Sequence, residues 1–227
     1  MIDKKTVTAI ILVAGNSTRF GKNKNKNFEI INGKSVLSYS LDAFDKNIYI
    51  DHIIVAIKEC EKTKVKSIIN KESLTKNVDI IIGGNTRKQS VYNCIKTINS
   101  DIVIIHDGAR PLIKQEYIIN CIENMKEFKG ATVGIKSKDT IKIADKNNIV
   151  INTTNRDNTW LIQTPQCFDR SILLKMHNKY KNEDVTDDCS LLEKDEYKIK
   201  IIPGDYSNIK ITTSEDLDII KKLLMKI

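Results

Sequence analysis

The sequence predicts an α/β protein whose mostly parallel sheet is flanked by helices. Three observations carry that expectation: short β-branched apolar runs recur along the chain, segments of helical periodicity separate them, and polar loops follow the runs. The apolar run Val7 to Val13 has the length and β-branched content of a fully buried strand, and Gly15 marks the turn after it. Ser35 is a candidate cap for a helix over Ser35 to Phe44. Ile50 to Ile57 and Val78 to Ile82 read as further buried strands. Between Thr86 and Ile98, the residues Val91, Cys94, Ile95 and Ile98 share one helical face. Asp101 to Asp107 is the fourth strand, and Gln115 to Phe128 the helix after it.

After Gly130 the rhythm changes to short strands in succession, "ATVGIK", "DTIKIA" and "NIVINTT". The last two, joined by Asp145 to Asn148, read as a hairpin with too few apolar residues for a core of its own, and it is expected to project. Helical patterns return from Asp169 to Tyr180 and from Ser214 to the end, with a strand near Tyr197 to Ile202. The expected organisation is one domain over 1–227, with residues 137–158 as an appended β-arm.

With 41% hydrophobic and 29% charged residues, the 227-residue chain falls in the soluble globular class rather than the disordered one. Its 37 basic and 29 acidic residues leave a net charge of +8, which favours anionic ligands, although a solvated lysine-rich surface accounts for much of it. The lysines are scattered and aromatics are only 6%, so neither a basic stripe nor stacking platforms for nucleic acid are present. Five cysteines without a C-x-x-C pair suggest reduced, mostly buried thiols. The N-terminal apolar run lacks a small-residue cleavage site, and no segment has the length of a membrane span; a cytoplasmic protein is expected.

In open α/β sheets, ligands bind beyond the carboxyl ends of the strands. Four loops in those places carry the right chemistry. "VAGNSTRFG", Val13 to Gly21, offers small residues that let backbone N–H groups approach an anion, with Arg19 and lysines behind them. It is neither a P-loop, since Asn23 follows Lys22, nor a dinucleotide fingerprint, since Ser17 breaks the pattern. "GGNTRKQSV" (Gly83 to Val91) and "HDGARP" (His106 to Pro111) each follow a strand, and "NIKITTSEDL" (Asn208 to Leu217) places Lys210 before a capped helix. Singly, Asp107 could cap a turn, Arg110 could pair with it at the surface, and Thr213 could be only a helix cap. Together, these residues at strand ends point to one crevice.

These motifs, in this order and with "DTIK", "QTPQCF" and "TDD", resemble those of the 2-C-methyl-D-erythritol 4-phosphate cytidylyltransferase family along nearly the whole chain. The resemblance implies a Rossmann-like nucleotidyltransferase fold, CTP and methylerythritol 4-phosphate as substrates, a divalent cation such as Mg²⁺, and a homodimer tied by the β-arm. It implies that Ala14, Gly15 and Arg19 wrap the triphosphate and that Lys26 touches it. Gly84, Asn85 and Ser90 would face the cytosine, and Asp107 and Gly108 the ribose. Thr140 and Arg156, on the arm, would bind methylerythritol phosphate from the neighbouring subunit, and Thr164, Thr186 and Lys210 complete the set. Arg19, Lys26 and Lys210 would carry the catalysis, whereas no protein ligand for the metal is singled out.

The chain departs from the family pattern at Ser17, where a glycine is usual, at Asn25-Lys26-Asn27 in place of Pro-Lys-Gln, and at Asn85 in place of an aspartate. Because Lys22, Lys24 and Lys26 alternate, the choice of catalytic lysine among them stays open. Ribitol 5-phosphate cytidylyltransferase is the neighbouring alternative, sharing the triphosphate loop, "QTPQ" and "NIK". "RKQSV", "HDGARP" and the pair Arg156 and Trp160 favour the isoprenoid enzyme. A nonenzymatic nucleotide- or RNA-binding protein is the alternative from another class.

Overall fold

The structure is a computed structural model that describes residues 5–15, 20 and 25–225. Its centre is a seven-stranded sheet in the order β11-β7-β10-β6-β1-β4-β5. The strands are β1 (Val7–Leu12), β4 (His52–Ile57), β5 (Asn77–Ile82), β6 (Ile102–Asp107), β7 (Gly130–Lys136), β10 (Trp160–Asp169) and β11 (Ile199–Pro203). β1 pairs in parallel with both β4 and β6, β4 with β5, and β11 with β7; β10 alone runs against its neighbours.

Side-chain alternation along β1 shows why this sheet is covered on both faces. Ala9, Ile11 and Val13 pack on one side with Leu37, Leu41 and Phe44 of α1 (Val36–Asp45), Val65 of α2 (Lys62–Lys71), and Ile118 and Ile122 of α4 (Gln115–Glu123). Ile10 faces the other side, against Val91 and Ile95 of α3 (Arg87–Ile95), Leu173 and Met176 of α5 (Arg170–Lys179), and Leu191 and Leu192 of α6 (Cys189–Glu193). α7 (Ser214–Leu224) closes a third cluster through Leu217 and Ile220.

Several expectations change at their ends. The α3 helix stops at Ile95 rather than Ile98 because Thr97 takes the Cys94 carbonyl with both its N–H (3.0 Å) and its hydroxyl (2.8 Å). α4 ends at Glu123, and a 3₁₀ turn over Asn124–Lys126 replaces its last turn. The arm is a separate antiparallel pair, β8 (Lys142–Ala144) and β9 (Val150–Thr153), shorter than expected. Asn148 adopts φ 63°, and Asp145 Oδ1 accepts from the Asn147 and Ile149 amides, so the turn consumes residues expected to extend the strand.

Five elements were not anticipated. Asn32 and Gly33, at φ 49° and 80°, turn the small hairpin of β2 (Ile30–Ile31) and β3 (Lys34–Ser35), as an Asn-Gly pair favours. α2 buries only Val65, so its lysine-rich sequence masks the periodicity. α6 is only five residues long. In β10, Pro165 falls inside a strand between two neighbours, where a missing N–H argues against strand structure. The sheet absorbs it at an irregularity, the register with β7 shifting between Ile162 and Gln166.

Candidate active site

β1 is where the chain reverses the direction in which it adds strands, going to β4 and β5 on one side and to β6 on the other, so the β1–β6 boundary is the topological switch point. Leu12 is level with Asp107 across that boundary, which sets the β1 loop beside the "HDGARP" segment. A cleft of about 290 Å³ opens there, lined by Ala14, Gly15, Lys26, Gly84, Asn85, Ser90, Asp107 and Lys210. Eight residues expected at one site are thus brought together. Arg19, Lys22 and Lys24 lie outside the described residues.

Glycine at 84 is required by close packing, since an added Cβ would fall 2.2 Å from Gln89 Cγ. Ser90, buried on α3, accepts from the Gly84 amide at 3.0 Å and donates to Thr86 O at 2.9 Å, which holds the glycine loop over the helix start. Gly108 lies beneath the cleft; its N–H bonds Leu12 O at 3.0 Å, and a Cβ there would meet Asn27 Oδ1 at 2.9 Å.

Charge is concentrated on Asp107. Its carboxylate is 2.8 Å from Lys210 Nζ, 3.6 Å from Arg110 Nε and 3.9 Å from Arg87 Nε. Burial alone would raise its pKa, but Lys210, Arg87 and Arg110 outweigh that and hold the group well below the usual carboxylate range. The Asp107–Arg110 pair is buried rather than at the surface, with both side chains 11% exposed. Arg110 also donates to Asn208 O at 2.7 Å, tying the "HDGARP" loop to the segment that carries Lys210. Thr213 does cap α7, in a capping box with Asp216.

A second cleft of about 400 Å³ shares Arg87, Asp107 and Lys210 with the first and adds Arg110, Thr164 and Thr186. The Thr164 hydroxyl is already engaged: it accepts from the Asp107 amide at 3.1 Å and meets His106 Nδ1 at 3.0 Å. Since His106 Nε2 faces Arg110 O at 3.1 Å, that nitrogen carries the proton and Nδ1 accepts from Thr164. Thr140 and Arg156 line neither cleft; they bond each other, Arg156 Nη2 to Thr140 Oγ1, at 3.0 Å near the base of the arm.

Burial depresses the His106 pKa to about 4. The unfolded chain binds this proton below about pH 6.5 and the folded one does not, so stability is complete above that range and is lost as pH falls toward the folded value. Urea unfolding at pH 7 and pH 5 should differ by about 2 kcal/mol from this group. A His106→Gln variant with the same pH slope would overturn the assignment.

Arg87, which lines both clefts, belongs to none of the residue sets expected from the sequence. Arg87 opens α3, where the helix dipole disfavours a cation, and that misplacement was its one legible signal. The guanidinium is held by the buried Asp188, whose other oxygen accepts from His177 Nε2 at 3.0 Å. Nearby, Asp187 accepts from Gln166 Nε2 at 2.8 Å. Among the described residues, no cluster of three or more histidine, cysteine or acidic side chains could hold a metal by itself.

The profile of the family described as "IspD: 2-C-methyl-D-erythritol 4-phosphate cytidylyltransferase" matches residues 7–226. The chain belongs to that family. It is 43% identical over 226 residues to the 2-C-methyl-D-erythritol 4-phosphate cytidylyltransferase of Caldanaerobacter subterraneus subsp. tengcongensis, covering 97% of this chain and 99% of the relative. The Clostridium beijerinckii relative of the same name is 44% identical over 215 residues, covering 93% and 95%. Among solved structures, the 4-diphosphocytidyl-2C-methyl-D-erythritol synthase of Anaerococcus prevotii superposes with a TM-score of 0.86 at 35% identity, covering 97% of this chain and 99% of that one. The Francisella tularensis cytidylyltransferase gives 0.80 at 32%, covering 96% and 99%. The expected α/β nucleotidyltransferase fold and the family assignment both hold.

Proposed function

We infer that the chain performs its family's reaction, transfer of the cytidylyl group of CTP to 2-C-methyl-D-erythritol 4-phosphate with release of pyrophosphate. One observation carries this reading: two clefts, one lined by Gly84, Asn85 and Ser90 and the other by Thr164 and Thr186, share a wall of Arg87, Asp107 and Lys210. The α-phosphorus of CTP and the attacking phosphate oxygen of the acceptor would meet at that wall.

An oxygen of the acceptor's phosphate attacks the α-phosphorus of CTP, and the bond to the bridging oxygen of pyrophosphate breaks. A phosphate monoester loses its second proton near pH ~6, so the nucleophile is largely ionised at neutral pH and no strong base is required. The demand is for positioning and for neutralisation of charge on the phosphoryl oxygens. Lys210 and Lys26 supply cations at the cleft, and Arg19 belongs with them by family resemblance. Gly84, Asn85 and Ser90 offer short polar groups for the cytosine edge, and Asp107 and Gly108 border the ribose. A divalent cation fits as one carried on the triphosphate, because Asp107 is already paired with three side-chain cations and Mg²⁺ favours phosphate and water oxygens. When bound, it would neutralise phosphate charge.

Thr164 and Thr186 stand on the acceptor side. We assign the arm's Thr140 and Arg156 to the acceptor phosphate of a second subunit. In support, Ile143, Ile149, Val150 and Ile151 of the arm are exposed apolar residues that a homodimer would cover. Arg156→Ala is expected to weaken methylerythritol phosphate binding at least about tenfold and leave CTP binding within about twofold. Calorimetry showing equal weakening of both would count against the arm's role. Five free cysteines favour a reducing, cytoplasmic compartment.

The deciding experiment measures pyrophosphate release from CTP and Mg²⁺ with methylerythritol 4-phosphate and ribitol 5-phosphate in parallel. A strong preference for the first is expected. Preference for ribitol phosphate would overturn the acceptor, and nucleotide binding without turnover would overturn the enzymatic reading.

A further inference from the structure

The turn that carries Lys26 is fastened to the body by side chains rather than by a ladder of backbone bonds. It is a single 3₁₀ turn, Lys26–Phe28, capped by Asn25 at φ −94° and ψ 112°. Every polar atom of the Asn25 side chain is used. Oδ1 accepts from the Asn27 amide at 3.0 Å and from Asn27 Nδ2 at 2.7 Å; Nδ2 donates to Val13 O at 3.2 Å and to Glu61 Oε1 at 2.7 Å. The carboxamide has one workable orientation, because reversing it would set its oxygen against two acceptors and its NH₂ against donors.

Glu61 belongs to neither cleft. It ends the 3₁₀ turn Glu59–Glu61 ahead of α2, where its second oxygen accepts from the Lys58 amide at 3.4 Å. α2 adds a second hold, with Lys64 Nζ 4.5 Å from the centre of the Phe28 ring. Asn27, 3% exposed, seals the far side against Gly108.

We propose that Glu61 is a positioning residue for Lys26, acting through Asn25. The proposal rests on the reading of Lys26 as a contact for the reacting nucleotide. The bond that Asn25 Nδ2 donates to Glu61 ties the cap to a second element and resists rotation of the carboxamide, so it fixes the cap and with it the direction in which Lys26 leaves the turn. Without that bond the cap keeps only Val13 O as its outside partner. A displacement of the lysine of well under a van der Waals radius would then weaken a contact that matters most in the transition state.

The test compares parent, Lys26→Ala, Glu61→Ala and Glu61→Gln by steady-state pyrophosphate release with CTP, methylerythritol 4-phosphate and Mg²⁺, alongside thermal melting. Glu61→Ala is expected to lower kcat about tenfold, with KM for both substrates within about twofold and a melting temperature within about 2 °C. Glu61→Gln keeps a carbonyl acceptor for Asn25 and is expected to retain about half of the parent kcat or more. If Lys26→Ala is impaired while Glu61→Ala stays within about twofold of the parent, the positioning role is overturned. It is also overturned if Glu61→Gln is as slow as Glu61→Ala, or if the loss only tracks a falling folded fraction. An unimpaired Lys26→Ala overturns the reading of Lys26 instead.

Discussion

Lys210→Ala is expected to lower kcat by about a hundredfold to a thousandfold, ~3–4 kcal/mol of transition-state stabilisation, while KM for CTP changes by less than about fivefold. Lys210 borders both clefts, its ammonium 2.8 Å from Asp107 and its side chain 39% exposed, so it is the cation best placed to follow charge from one phosphate to the other. Its removal strands no buried charge: Asp107 keeps Arg110 at 3.6 Å and Arg87 at 3.9 Å. The loss should therefore appear in turnover, with the melting temperature nearly unchanged. Lys210→Arg would keep the charge but spread it over a plane, and should recover only part of the rate. Steady-state kinetics that left Lys210→Ala within about tenfold of the parent would remove this residue from the chemistry.

The parts of this architecture visible in sequence share a physical cause. β1, β4 and β6 are buried on both faces, so apolar residues fill most of each strand. β10 lies as deep in the sheet but carries Gln163, Thr164, Pro165 and Gln166 in its middle, because that stretch builds the site. Its polar residues are satisfied only by partners far away in sequence, such as Asn208 Nδ2 on Gln163 Oε1 at 3.0 Å. The site divides in the same way. Asp107, Lys210 and the glycines could be located because strand-end loops are local features. The bond between Arg87 and Asp188 joins residues 101 positions apart, and neither has a local pattern announcing it. Thr140 and Arg156 were legible only through family resemblance, and the single chain brings them to neither cleft.

Asp188→Ala should be the most destabilising single change near the site, by about 3–5 kcal/mol, or roughly 10 °C in melting temperature for a chain of this size. Asp188 is fully buried and accepts from both Arg87 and His177. Burial pushes its pKa up, but Arg87 and His177 overcome that and hold it below the ordinary value. Hence the pair's contribution is present above the unfolded carboxylate range and lost as pH falls through the folded pKa. Alanine would leave the Arg87 guanidinium, 27% exposed, with Gln166 at 3.4 Å and Asp107 at 3.9 Å. The charge would then be drawn toward Asp107 and compete with Lys210 for its carboxylate. Surviving folded protein should consequently turn over more slowly than the parent even at low temperature, which a purely structural loss would not produce. Asp188→Asn, which keeps the shape but not the charge, should fall between the two in melting temperature. A parent-like melting temperature for Asp188→Ala would mean that water solvates Arg87 once the carboxylate is gone, and that Arg87 and Asp188 do not act as a buried pair.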